Sequence, residues 1–197
     1  MNRSDIPYAQ RLAMQRVGVI AANREQAAKA ALLCASVALY EVKGIGYKRL
    51  VRFSLRFKRV IDEFYEDVEV GLAHAKTRLA QIGIEISGVL YTVTPDGRTA
   101  RQLELDNHML QASQIALICA AIAMNDEFGF GLEVQERISR RTAELADRYA
   151  LEGMGFLLEK MEQLGFKIVD GAVHAFVDDD GNPVTMRQAM KEGFTDG

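Results

Sequence analysis

The sequence predicts a mainly α-helical protein carrying two small β-hairpins, an α+β arrangement written twice along one chain. Three observations lead there. Apolar residues recur at 3–4 spacing over long stretches, the same frame returns 85 positions later, and each half changes to a period of two after a glycine.

Aligning residues 26–56 with 111–141 gives about twelve identities in 31 positions. Cys34/Cys119, Gly44/Gly129, Gly46/Gly131, Arg52/Arg137, Ser54/Ser139 and Arg56/Arg141 are among them. Further on, "QIGIEI" matches "QLGFKI", and "PDGRTARQ" echoes "DDDGNPVTMRQ". We read a tandem duplication, with units at 1–98 and 99–197 packed about a pseudo-twofold axis into one body.

Within each unit a helix of small and apolar residues (23–42; 107–127) ends at a glycine–apolar–glycine turn. Glycine there can take the positive φ that closes a helix. An amphipathic helix follows, with Leu50, Phe53, Phe57, Val60, Ile61 and Phe64 on one stripe. It is expected to run to about Ile82 and to bend near Gly71, and Gly153 and Gly155 mark the comparable break in the second unit. After Gly83 and Gly165, "EISGVLYTVTPDGRTA" and "VDGAVHAFVDDDGNPVT" read as hairpins, turning at Pro-Asp-Gly and Asp-Gly-Asn. Thr99 and Thr185, each with Gln three residues on, read as helix caps. An isolated hairpin is marginal in water, so each is expected to lie on helices or to join the other in a four-stranded sheet.

The chain of 197 residues is 49% hydrophobic and 26% charged, the balance of a soluble globular protein. The N-terminal stretch has no apolar signal core, and the most apolar segments, 30–39 and 115–124, are shorter than the roughly 20 residues a bilayer span needs. We therefore expect a cytoplasmic protein with no membrane partner. The two cysteines, Cys34 and Cys119, each sit inside one of those segments and read as inert core thiols in a reducing compartment. Small residues around them suit close helix–helix contact.

No P-loop, H-E-x-x-H or C-x-x-C occurs, and His74, His108 and His174 are scattered singly. The "DDDGN" run at 178–182 lacks the alternating ligands and terminal Glu of an EF-hand. No catalytic residue, metal or cofactor is expected, and the chain reads as a non-enzyme.

Charge is where the halves part. Lys43, Lys48, Arg49, Arg52, Arg56, Lys58 and Arg59 follow one another without an intervening acid, although the whole chain carries −3. Arg49, Arg52, Arg56 and Arg59 share one helix face, where like charges repel by about 0.2–0.5 kcal/mol per pair, so an anion is expected opposite them. The second unit sets Asp126, Glu127, Glu133, Glu136, Glu144 and Asp147 against four arginines. Either one copy binds a polyanion while the other supports it, or the two faces meet one another, which head to tail between chains would suit a homo-oligomer, or the basic run is a solvated helix face balanced by Asp62, Glu63, Glu66 and Asp67 just beyond. The repeated Arg-x-Ser-x-Arg reads as structural or as an anion site at each turn.

"VKGIGYKRLVRF" resembles the helix-hairpin-helix DNA-binding motif, with Lys43 and Phe128 standing where that family has Pro. The resemblance implies a hairpin at Gly44, Ile45 and Gly46 whose backbone N–H groups approach a phosphate, with Lys48, Arg49 and Arg52 on the nucleic-acid backbone. Gly129, Phe130, Gly131, Arg137 and Arg141 are the second unit's equivalents. Separately, "AMNDEFGFG" with "YALEGMGFLLEKMEQLGF" looks like small proteins of Firmicutes phages and prophages that carry an E-F-G-F-G segment. That implies a mobile-element origin and a host-cell cytoplasmic setting. The expected function is phosphate-backbone binding to nucleic acid through the first turn and basic helix, with Lys43 and Arg59 at its ends. The alternative is a phage-encoded factor that inhibits or regulates an acidic host protein.

Overall fold

Helix α1 spans Tyr8–Lys43 and α4 spans Ala100–Phe128, and these two long helices form the middle of the molecule. The computed structural model describes residues 8–86, 90–94, 96–170 and 172–174, with side chains from residue 18 onward. Around the central pair lie α2 (Tyr47–Glu66), α3 (Val68–Ala80), α5 (Leu132–Glu152) and α6 (Gly155–Gln163), followed by strands β1 (Lys167–Val169) and β2 (Ala172–His174).

Why α1 and α4 are central follows from their composition. Ala31, Cys34, Ala35 and Ala38 of α1, and Ala116, Cys119, Ala120 and Ala123 of α4, are all buried. Short side chains let the two backbones close on each other, and longer ones at Val37, Leu39, Ile115 and Ile122 fill the flanks. By length and composition α4 is apolar enough to cross a membrane; 44% of that stretch is buried within the molecule, where α4 packs on α1 and α2.

The flanking helices cross over. The α2 helix packs on α4 and hardly on α1, which precedes it in the chain; α5 packs on α1. Across the body the order is therefore α5, α1, α4, α2, so each half lays its second helix against the other half's first. The stripe predicted on α2 forms as expected: Leu50, Phe53, Phe57, Val60, Ile61 and Phe64 are buried. Fully burying side chains of this size is worth about 1.5–3 kcal/mol each, which makes the α2–α4 contact a main contributor to stability.

The second helix of each half does break, in the first half at a residue the spacing does not single out. Asp67 caps α3 by accepting hydrogen bonds from the N–H groups of Glu69 and Val70 at 3.0 and 3.1 Å. Gly71 lies inside α3, with the Phe64 ring so near that a Cβ there would approach it to 2.9 Å. In the other half α5 ends at Glu152 and α6 starts at Gly155, as the glycine pair suggested.

The hairpins need correction. Residues 84–86 and 90–94 form no strand. Their backbone turns instead to side-chain amides of α4: Tyr91 N–H donates to Gln114 Oε1 at 2.9 Å and Val93 N–H to Asn107 Oδ1 at 2.6 Å. In the second half a hairpin forms with its turn between Val169 and Ala172, where Asp170 has φ 50°. The turn expected at 180–182 lies outside the described residues. The described sheet has two strands rather than four. Thr99 forms its capping box with Gln102; Thr185 lies outside the described residues.

Candidate anion site at the paired glycine turns

The two glycine turns are built alike. Gly44 closes α1 at φ 63°, its N–H donating to the Tyr40 carbonyl at 2.7 Å; Gly129 closes α4 at φ 66°, donating to the Asn125 carbonyl at 2.8 Å. Gly46 and Gly131 then start α2 and α5 in extended conformation, and neither offers a side chain to the first N–H groups of its helix. Both helix starts thus present uncapped donors and the positive end of the helix dipole. Between the glycines Ile45 is buried, a plug rather than a contact residue, while Phe130 is half-buried.

The turns lie beside each other. Lys43 Nζ sits 5.7 Å from the centre of the Phe130 ring, and the Arg49 guanidinium 5.0 Å from that of Phe128. The Phe128 and Phe130 rings are themselves 5.1 Å apart. Behind them Tyr47 packs edge-on against Phe166, and Leu132 packs against Gly83.

Half of the arginine face has an anion, and it is internal. Arg52 Nε donates to Glu127 Oε1 at 2.6 Å, and Arg56 Nε donates to Asp126 Oδ2 at 2.6 Å. Arg49, Arg52 and Arg56 therefore read backwards along the last turn of α4, onto Phe128, Glu127 and Asp126 in succession. Cations at that C-terminal turn also oppose its partial negative charge. Arg78 of α3 adds a second guanidinium to Asp126. Burial alone would push the Asp126 pKa up; the hydrogen bonds from Arg78 and Arg56 outweigh it and hold the carboxyl below its ordinary range.

The other half repeats the contact once. Arg141 Nε donates to Glu41 Oε2 at 2.7 Å and Arg141 Nη1 to Glu144 Oε2 at 2.6 Å, which raises the Arg141 pKa. Arg137 stands where Arg52 does, but Val42 occupies the position matching Glu127, and Arg137 makes no ion pair among the described residues. So Arg52 and Arg56, expected to face a phosphate, are committed to α4. Lys43, Lys48, Arg49 and Arg59 stay exposed, and none of the four pairs with an acid among the described residues.

Sequence reasoning missed two features of this end. Arg78 was not singled out, because only the fold brings α3 to the end of α4. Gln135, at the position of Leu50, is buried; its Nε2 donates to the carbonyls of Ala121 and Phe130 at 3.1 and 2.9 Å, tying the second turn to α4. A glutamine in an otherwise apolar register was the one available hint. The described residues contain no group of three metal-ligating side chains. No family model, curated protein or solved structure matches the chain.

Proposed function

We propose that this chain is a non-enzymatic, phage-type binding protein that contacts the phosphate backbone of nucleic acid at the first glycine turn. The observation that carries it is the uncapped start of α2 at Gly46, flanked by Lys43, Lys48 and Arg49 with no acid paired to them. Backbone N–H groups at a helix start and exposed cations beside them are what a phosphate oxygen needs. The contact set is narrower than the sequence suggested: Arg52 and Arg56 drop out. The second turn carries Glu133 where the first has Lys48, which repels phosphate, and so serves as support.

The same reading includes a tandem duplication with pseudo-twofold packing. The ends of α1 and α4, and the starts of α2 and α5, are each 85 positions apart, and the cross-packing of α2 on α4 matches that of α5 on α1. Arg56 with Asp126 and Arg141 with Glu41 occupy matching positions at that same offset.

The test is binding of labelled duplex and single-stranded DNA over a salt series. Four cations on B-DNA give a slope of log K against log salt of about −3.6. Lys48→Glu with Arg49→Glu abolishes binding while the helical spectrum is kept. A wild-type protein that ignores DNA at low salt, or a double variant that binds as well, ends this reading. The protein-partner reading then takes its place, favoured by the internal neutralisation of Arg52 and Arg56.

A further inference from the structure

At the far end of α2, about 30 Å from the glycine turn by helix rise, the elbow between α2 and α3 opens a groove of about 490 Å³. Its floor is apolar: Phe64, Ala75 and Ile122 are buried beneath it, and Val70 stands in its wall 48% exposed. The close approach of Gly71 to the Phe64 ring lets α3 fold back on α2 and shapes the elbow.

The rim is acidic. Glu63, Glu66 and Asp67 border the groove. Glu63 and Glu66 make no ion pair among the described residues, whereas neighbouring Asp62 is held by Lys58. The one arginine at the groove, Arg78, is turned to Asp126, which it shares with Arg56, and His74 is the remaining titratable group there. Glu63 and Glu66 are three positions apart on α2, so their side chains lie about 5–6 Å apart on one helix face. Carboxylates around an apolar floor focus a negative field into the opening.

We propose that this groove docks a basic amphipathic segment of a partner polypeptide, one apolar side chain entering the floor and lysines or arginines a turn to either side meeting Glu63, Glu66 and Asp67. Charge complementarity selects a cationic partner, and the apolar floor selects a segment with hydrophobic residues at helical spacing over a simple polyamine. The site is separate from the phosphate-binding end, and its test does not depend on that reading.

The probe is a fluorescently labelled amphipathic peptide of leucine and lysine, titrated with the full chain and followed by anisotropy. Binding is expected at low salt, weakened at least about tenfold by Glu63→Lys with Glu66→Lys, both exposed positions whose change leaves the helical spectrum intact. A leucine–glutamate peptide does not bind, and Lys48→Glu with Arg49→Glu leaves the affinity unchanged. No binding at low salt, or equal binding by the Glu63/Glu66 variant, overturns the proposal. So does equal competition by spermine. Self-association in sedimentation that the same variant abolishes also overturns it, by making a second copy the occupant.

Discussion

Arg141 of α5 reaches Glu41 of α1 at 2.7 Å, joining the second half of the chain to the last turn of the first half's leading helix. Its counterpart joins Arg56 of α2 to Asp126 of α4. Replacing Glu41 with Gln should lower stability by about 0.5–1 kcal/mol, because the pair is partly exposed. Urea unfolding of Glu41→Gln, Arg141→Gln and the double variant measures the coupling; strictly additive losses would show that the contact contributes nothing.

Asp126 should make stability depend on pH in the acid range. Its folded-state pKa lies below the ordinary 3.8, so the stabilisation is fully present above that value and is lost as pH falls through the folded pKa. Asp126→Asn is expected to cost about 1 kcal/mol at neutral pH, with the gap to wild type shrinking on acidification. Melting temperatures taken from pH 7 down to pH 3 check this, and a gap that stays constant contradicts it.

The first turn offers a contrast between neighbouring glycines. Gly44 is left-handed with open space around it, so Gly44→Ala carries a backbone cost of about 1–2 kcal/mol and no clash. Gly46 is extended and equally open, so Gly46→Ala costs under about 1 kcal/mol. Thermal denaturation of the two variants should rank them in that order.

What the sequence could show here was whatever depends on near neighbours. The Phe stripe of α2, the capping box at Thr99 and the glycine turns all follow from residues within a few positions of each other, and they stand where expected. The arginine face was legible as a demand for an anion, but not which anion. Asp126 and Glu127 lie 70 and 75 positions from their partners, and only the crossing of α2 over α4 brings them together. The first hairpin failed for a similar reason. Its residues alternate in sequence, but no strand forms among the described ones, and Asn107 and Gln114 of α4 supply the hydrogen bonds that a second strand would have given.

Cys34 and Cys119 should be silent toward thiol reagents in the folded protein. Burial pushes Cys34 up to about 11 and Cys119 up to about 12, so thiolate is scarce at pH 8, and both groups are closed off from solvent. A chromogenic disulfide reagent is expected to report two thiols only after denaturant is added. Rapid reaction of either one without denaturant would mean that the α1–α4 seam opens.

The crossing of the flanking helices also sets a schedule for synthesis. When α2 leaves the ribosome its aromatic stripe has nowhere to rest, because the surface it fits belongs to a helix encoded some fifty residues downstream. Until Phe128 has emerged, the nascent chain carries a bare row of phenylalanines, and that interval is when a chaperone, or a neighbouring nascent copy, has its opening.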